Sequence, residues 1–206
     1  MNHRFARERL MKLNTTCFSW LLAGCLLTAA ASAAELEGYK VPERVQLGSG
    51  STELVLNGAG VRTQSVFKVY IAALYLPARK DDSEEILRSN QPSRISLRLL
   101  RELTPEQITT SMNRALHESL TPEQRAPLER RLKDFGAIFE SLPALKKGMQ
   151  IVIDYLPQVG TTIRVNDETV GRVLGADFNQ ALLRTWIGDR PGDTGLKNAM
   201  LGLRSM

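Results

Sequence analysis

LVLNGAGVRTQSVFKVYIAALYL, residues 54–76, is the stretch of sequence that decides the fold. Its glycine-rich segment, residues 57–60, predicts a tight turn and a close approach to neighbouring backbone, because glycine has no Cβ. The run 66–76 is apolar or aromatic at almost every position except Lys68. Such a run is typical of a strand that is covered on both faces.

A single arginine, Arg62, lies between the glycines and this strand. A guanidinium beside a buried strand is costly unless an anionic or hydrogen-bonding partner satisfies it. One interpretation is a ligand carboxylate, phenolate or enolate, held by charge-assisted and bidentate hydrogen bonds. The other is a structural salt bridge or a cap on the glycine segment, and residue type alone favours this second interpretation.

The first 33 residues have the pattern of a secretory signal peptide. A basic start is followed by an apolar run, and Ala31-Ser32-Ala33 forms a small-residue cleavage signal. Either Met1 or Met11 can serve as the start of this segment. We therefore expect a signal peptide over residues 1–33, one domain over 34–206, and a periplasmic or secreted protein.

Residues 22–25, Leu-Ala-Gly-Cys, support an alternative, because they resemble the lipobox of bacterial lipoproteins. In that case Cys25 would carry lipid and anchor the protein to a membrane. The sequence after Cys25 stays apolar, which favours a continuing signal core. The apolar run is shorter than the ~20 residues of a membrane-spanning helix, so we expect no integral membrane span.

Composition narrows the possible chemistry of the domain. Both cysteines lie in the leader, so residues 34–206 contain no disulfide, thiol nucleophile or thiolate metal site. Those residues hold 23 basic and 21 acidic side chains, which gives no case for nucleic-acid binding. His117 is the only histidine among them, and no phosphate-binding or dinucleotide fingerprint is present. We expect no metal and no cofactor.

Hydrophobic periodicity and turn residues predict an α+β domain in which helices cover an antiparallel sheet. The predicted strands span 45–47, 53–56, 66–76, 94–101 (half-exposed), 149–156, 161–166 and 169–174. Asp154, on the fifth of these, is expected to face solvent. The predicted helices include 82–89 and 194–201. Two more start at the capping boxes Thr104–Gln107 and Thr121–Gln124. Another spans 177–187, with Asp177 as its cap and Gly188 as its end.

Three elements of the sequence resemble the chalcone isomerase superfamily, in particular its bacterial chalcone isomerase-like branch. They are a Gly-Ala-Gly-x-Arg element at 58–62, a strand with Lys68-Val69-Tyr70 and Tyr75-Leu76, and Leu-Arg-Thr-Trp-Ile-Gly at 183–188. The resemblance covers about residues 54–203. It implies an open-faced β-sandwich with a ligand cleft between the large sheet and the helix layer.

The resemblance carries over only part of the catalytic set of the plant enzymes. In those enzymes an arginine holds the substrate phenolate, a threonine and a tyrosine position a water at the ketone, and an asparagine adds a contact. Arg62 matches the arginine, whereas Tyr70 occupies the threonine position. Ile108 and Ala115 occupy the tyrosine and asparagine positions and cannot hydrogen-bond through their side chains.

Two further residues complete the expected ligand site. Thr185 lies near the place where the family has a substrate-contacting hydroxyl, and Met112 shares the apolar face of its helix with Ile108. Tyr70 and Tyr75 are five residues apart on one strand and therefore point to opposite faces. The family register selects Tyr70 for the cleft.

Three functional hypotheses follow from these observations. The first is a non-catalytic protein that binds a fatty or aromatic carboxylate through Arg62 and Tyr70, with Ile108, Met112 and Thr185 lining the cleft. The second is an isomerase that catalyses intramolecular conjugate addition on an enone, with Arg62 and Tyr70 as catalytic groups. The third is an envelope interaction module with a vestigial cleft.

Overall fold

A computed structural model describes residues 33–48, 50 and 52–203 of the chain. Its main sheet has seven antiparallel strands that neighbour one another in chain order. A separate hairpin pairs two strands near the start of the described residues. The strands are β1 Ala33–Leu36 and β2 Tyr39–Pro42 in the hairpin, and β3 Arg44–Leu47, β4 Thr52–Gln64, β5 Phe67–Leu76, β6 Ser93–Leu99, β7 Gln150–Leu156, β8 Gly160–Val165 and β9 Glu168–Val173 in the sheet.

Helices fill the connections around this sheet. Most of them lie between β6 and β7 or follow β9. They are α1 Ser83–Arg88, α2 Pro105–Ser119, α3 Pro122–Arg125, α4 Glu129–Glu140, α5 Ala176–Ile187 and α6 Thr194–Met200. The predicted α+β class is confirmed, with a curled antiparallel sheet that carries helices. Within the described segments, no helix has both the length and the apolarity needed to cross a membrane.

Strand β5 is buried on both faces from Ile71 to Leu76, as the sequence predicts, whereas Phe67 is 62% exposed and Val66, 83% exposed, precedes the strand. Ala72, Leu74 and Leu76 point to the main core, which they share with the helices. Ile71, Ala73 and Tyr75 point the other way, into a second core that includes Val41 of the hairpin. The β1–β2 hairpin therefore covers the face of the sheet that the helices leave free.

The predicted turn at residues 57–60 is wrong, because these residues lie inside β4. Their glycines instead allow close packing against α6. A Cβ on Gly58 would lie 2.1 Å from the carbonyl oxygen of Ala199, and one on Gly60 would lie 2.7 Å from the Ala199 Cβ. Asn57 sits at a bulge in the β4–β5 register, and its amide donates to the Met200 carbonyl at 2.8 Å. The close approach was predictable, but its location within a strand was not.

The prediction that strand 94–101 is half-exposed is wrong, because the face of β6 that carries Arg94, Ser96 and Arg98 is covered as well. Arg94 is buried and binds Asp154 through Nε and Nη2 at 2.5 and 2.9 Å. Arg164 approaches the same carboxylate at 3.1 Å, and Arg94 also donates to the Gln46 carbonyl at 3.0 Å. Asp154 is therefore buried rather than solvated. Alternation shows which residues share a face, but not whether another layer covers that face.

Most predicted helix boundaries are confirmed. Both capping boxes are formed, at Thr104 and Thr121, and Asp82 caps α1. The second capping-box helix is broken near Pro127 into α3, a 3-10 turn (Ala126–Leu128) and α4, because proline lacks the N–H that a continuous helix requires.

Helix α5 ends at Gly188 as predicted, but its cap differs from the prediction. The cap residue is Gly175, at φ 108°, and no side chain caps the helix. Asp177 lies in the first turn and accepts hydrogen bonds from both terminal nitrogens of Arg131 at 2.6 Å each. The carboxylate therefore links α5 to α4 instead of capping α5.

Candidate functional site

A cavity of about 750 Å³ lies between the sheet and the helices α2, α5 and α6. Its floor is formed by β5, β6 and β7, and its roof by the inner face of α2. The lining of the cavity is mixed, with polar and charged residues beside apolar ones. The apolar side chains include Val69, Leu97, Leu99, Leu103, Ile108, Met112, Ala115, Ile151 and Leu196.

Arg62 and Tyr70 lie next to each other in the cavity lining because of the β4–β5 register. Arg62 and Tyr70 are direct partners across the two antiparallel strands. Side chains of directly opposed residues lie on the same face of a sheet, about 5 Å apart at Cβ. Both residues line the cavity.

Arg62 combines a structural contact with a position in the cavity wall. Its Nη1 donates to the Gly192 carbonyl at 2.5 Å and lies 3.1 Å from Asp193 Oδ2. Its Nε and Nη2 make no hydrogen bond within residues 33–48, 50 and 52–203. The loop at Gly192 passes close to the guanidinium, since a Cβ there would lie 3.4 Å from Nη2, in ordinary van der Waals contact. The guanidinium is therefore fixed along one edge and retains donors for a ligand.

Tyr70 presents a hydroxyl with a free proton. The oxygen accepts a hydrogen bond from Nε1 of Trp186 at 3.2 Å, and its own hydrogen has no acceptor in the described part of the chain. Burial raises the pKa of Tyr70, against the opposing effects of the Trp186 hydrogen bond and the Arg62 charge. The phenol therefore stays neutral near pH 7 and can donate. Tyr75 lies on the opposite face of β5, where burial raises its pKa to about 12.

The structure brings the five sequence-predicted ligand residues to one cavity. Its lining includes all of them: Arg62, Tyr70, Ile108, Met112 and Thr185. The Thr185 hydroxyl donates to the Leu182 carbonyl at 2.8 Å within its own helix. The roles of these residues in binding or catalysis stay predictions.

Sequence reasoning missed two residues of the site, Trp186 and Asp193. Trp186 orients the Tyr70 hydroxyl, and it was visible only as part of the family-like segment 183–188. Asp193 both contacts Arg62 and caps α6, where its Oδ1 accepts from the Leu196 N–H at 2.9 Å. An aspartate before a predicted helix indicates a cap, but nothing in the sequence links it to a residue 131 positions earlier.

His117 and Asn113 lie outside this cavity. Both line a groove between α2 and α4, where the His117 ring contacts Arg125. Within the described ranges, no group of three or more His, Cys, Asp or Glu side chains is arranged to hold a metal ion.

The model of a family described as chalcone isomerase-like matches residues 33–202. The chain belongs to the chalcone isomerase-like family. Ile108 and Ala115 of α2 both line the cavity.

A solved structure supports the same fold for this chalcone isomerase-like protein. The crystal structure of a fatty-acid binding protein from Arabidopsis thaliana superimposes with a TM-score of 0.66 at 16% sequence identity. The alignment covers 82% of this chain and 96% of the Arabidopsis chain. No curated protein sequence matches the chain significantly.

Proposed function

We propose that this chalcone isomerase-like protein binds a small apolar molecule with an acidic head, a fatty or aromatic carboxylate, without transforming it. The observation that carries this proposal is the pair formed by Arg62 and Tyr70. Both have free donors, and they line the cavity side by side together with apolar side chains of β5, β6 and α2.

The size and lining of the cavity suit such a ligand. Small-molecule pockets commonly span ~300–1,000 Å³ and combine apolar walls with a few placed polar groups. A carboxylate that accepts from the free Nε and Nη2 of Arg62 would form the charge-assisted geometry that guanidinium groups favour. The Tyr70 hydroxyl would donate a further hydrogen bond, while Leu97, Leu99 and Ile151 would contact the apolar chain.

The similarity to the Arabidopsis fatty-acid binding protein supports the ligand class. That protein binds fatty acids according to its name, and it shares the fold at a TM-score of 0.66. We extend the ligand class to this chain because the cavity provides both a cationic anchor, Arg62, and apolar side chains.

The inner face of α2 supports a non-catalytic role. Ile108 and Ala115, at the positions where the resemblance places the plant tyrosine and asparagine, have no hydroxyl or amide to position a water at a substrate ketone, and the α2 hydroxyls that line the cavity, Thr110 and Ser111, lie at other positions. The alternative is an isomerase in which Arg62 stabilises negative charge that develops during conjugate addition to an enone. Turnover of chalcones that is lost in Arg62→Ala would favour the isomerase and contradict the non-catalytic proposal.

Calorimetric titration with laurate tests the binding proposal, alongside native mass spectrometry of the purified protein for co-purifying acids. We expect micromolar or tighter binding, weakened at least tenfold in Arg62→Ala and by about threefold to tenfold in Tyr70→Phe, as for loss of one hydrogen bond. Tyr75→Phe is the matched control, because it removes a phenol from the opposite face of the same strand. Laurate affinity that is equal in wild type and Arg62→Ala would refute the proposal.

We also propose that the protein is exported, with residues 1–33 as a cleaved signal peptide. Residues 1–32 lie outside the described part of the structure, and Ala33, the last residue of the proposed peptide, is the first residue of β1. Cell fractionation with amino-terminal sequencing of the product tests the proposal, and a new terminus at Ala34 in the soluble envelope fraction is the expected result. Membrane retention that is abolished by Cys25→Ser would instead establish the lipoprotein alternative.

A further inference from the structure

The two oxygens of the Asp193 carboxylate serve different elements. Oδ1 accepts the Leu196 N–H at 2.9 Å and so caps α6, while Oδ2 lies 3.1 Å from Nη1 of Arg62. Both members of the ion pair have side chains that are only 21% exposed. The pair is therefore part of the cavity wall, and solvent screens it less than a surface pair.

The charge that a ligand meets in this cavity is close to zero. Asp193 balances Arg62, and the remaining charged side chains of the lining are also balanced. The lining contains three basic and three acidic residues: Arg62, Arg101, Arg114, Glu106, Glu118 and Asp193. A carboxylate that reaches the free edge of Arg62 leaves the head region with one net negative charge. A phosphate monoester, which carries about −1.5 to −2 at pH 7, leaves nearly two.

We propose that Asp193 restricts the ligand head to a single negative charge, so that the cavity accepts carboxylates and rejects phosphate monoesters. This inference rests on the proposed function, because it concerns the same cavity and the same anchor. Attraction to Arg62 and repulsion from Asp193 both grow in proportion to the charge of the head and offset each other, whereas the cost of removing the head from water grows with the square of its charge. Arg62 therefore supplies hydrogen-bond geometry for the head, while Asp193 limits how much charge the head carries.

Two substitutions isolate the charge of Asp193 from its structural role. Asparagine and serine are helix N-caps about as good as aspartate, so Asp193→Asn and Asp193→Ser retain the cap of α6. Asn keeps the shape of the side chain, whereas Ser removes the atom that faces Arg62. Thermal unfolding of both variants should stay close to wild type, which shows that α6 remains in place.

The probes are laurate, dodecyl phosphate and dodecanol, which share one chain and differ in head charge. We expect both variants to bind laurate about tenfold more tightly than wild type, which is ~1.4 kcal/mol. Dodecyl phosphate should gain about the square of that factor, because its repulsion is roughly doubled. Dodecanol affinity should change less than about twofold, because an uncharged head has no Coulomb term.

Each outcome separates this inference from the binding proposal. Arg62-dependent laurate binding with no gain in either Asp193 variant overturns the inference and leaves the proposed function standing. Wild-type protein that binds dodecyl phosphate as tightly as laurate also overturns it. The proposed function and the inference are both overturned if wild type does not bind laurate, or if Arg62→Ala binds laurate with the same affinity as wild type.

Discussion

Gly58 of β4 lies directly beneath Ala199 of α6, so that an added Cβ would meet the Ala199 carbonyl oxygen at 2.1 Å. Backbone packs against backbone here, without side chains between. The same helix begins at Asp193, which contacts Arg62 further along β4. The glycines thus bring the start of α6 to the cavity, and they explain why a glycine pair precedes the arginine in the sequence.

Replacement of Gly58 by alanine should destabilise the fold by at least about 2 kcal/mol, because α6 has to move or β4 has to distort to relieve the overlap. Denaturant unfolding measures the loss. Gly136→Ala is the matched control, since it lies within α4 and a Cβ there meets nothing within 4 Å. That control should stabilise the protein by about 0.5–1 kcal/mol, from helix propensity. Equal effects of the two substitutions would show that Gly58 is not a packing requirement.

The buried pair of Arg94 and Asp154 should contribute more to stability than an exposed pair of similar length. Asp154→Asn leaves two guanidinium groups, Arg94 and Arg164, without their carboxylate, and loss of one partner of a buried pair costs ~3–5 kcal/mol. The control is Glu53→Gln, which breaks the largely exposed pair with Arg44 and should cost less than about 1 kcal/mol. Urea unfolding at neutral pH compares the two. A loss below about 1 kcal/mol for Asp154→Asn would contradict the role of this pair.

Alkaline pH should destabilise the protein through its buried tyrosines. Burial raises the pKa of Tyr75 from 10.0 to about 12 and also raises that of Tyr70. A folded-state pKa above the unfolded value means that the folded protein holds the proton longer. The stabilisation from Tyr75 is therefore fully present below pH 10, and it is lost as pH rises from about 10 towards 12, by ~1.4 kcal/mol for each pH unit; Tyr70 contributes in the same direction.

Urea unfolding between pH 9 and pH 12 checks this dependence, together with phenolate absorbance of the folded protein. Tyr75→Phe should flatten part of the decline, because the variant has one fewer late-titrating phenol. The same slope in wild type and Tyr75→Phe, or a Tyr75 phenolate that forms with its ordinary midpoint, would show that the hydroxyl is solvated in the folded state.

How far the sequence predicted the structure depends on the range of the interactions involved. The capping boxes at Thr104 and Thr121 were predictable because cap and partner lie three residues apart. The burial of Asp154 and its pairing with Arg94 were not predictable, because Arg94 is 60 positions away and periodicity carries no information on a covering layer. The site divides in the same way, because Arg62 and Tyr70 lie near each other in sequence, whereas Trp186 and Asp193 reach them only through the tertiary fold.

Filling the cavity from α2 should abolish binding without unfolding the protein. Ala115 is half-buried and lines the cavity beside Met112, so the indole of Ala115→Trp can occupy space that a ligand chain would use. We expect laurate affinity to fall at least tenfold, which is ~1.4 kcal/mol, while the melting temperature stays within a few degrees of wild type. Calorimetric titration and thermal unfolding measure the two quantities.

The matched control is Asn113→Trp, on the same helix and two residues earlier. Asn113 is exposed and lines the groove between α2 and α4 instead of the cavity. A tryptophan there puts the same indole on the same helix without entering the ligand space, and it leaves helix propensity nearly unchanged because asparagine and tryptophan have similar propensities. Unchanged laurate binding in Ala115→Trp would place the ligand outside the cavity, whereas equal loss in both variants would trace the effect to α2 itself.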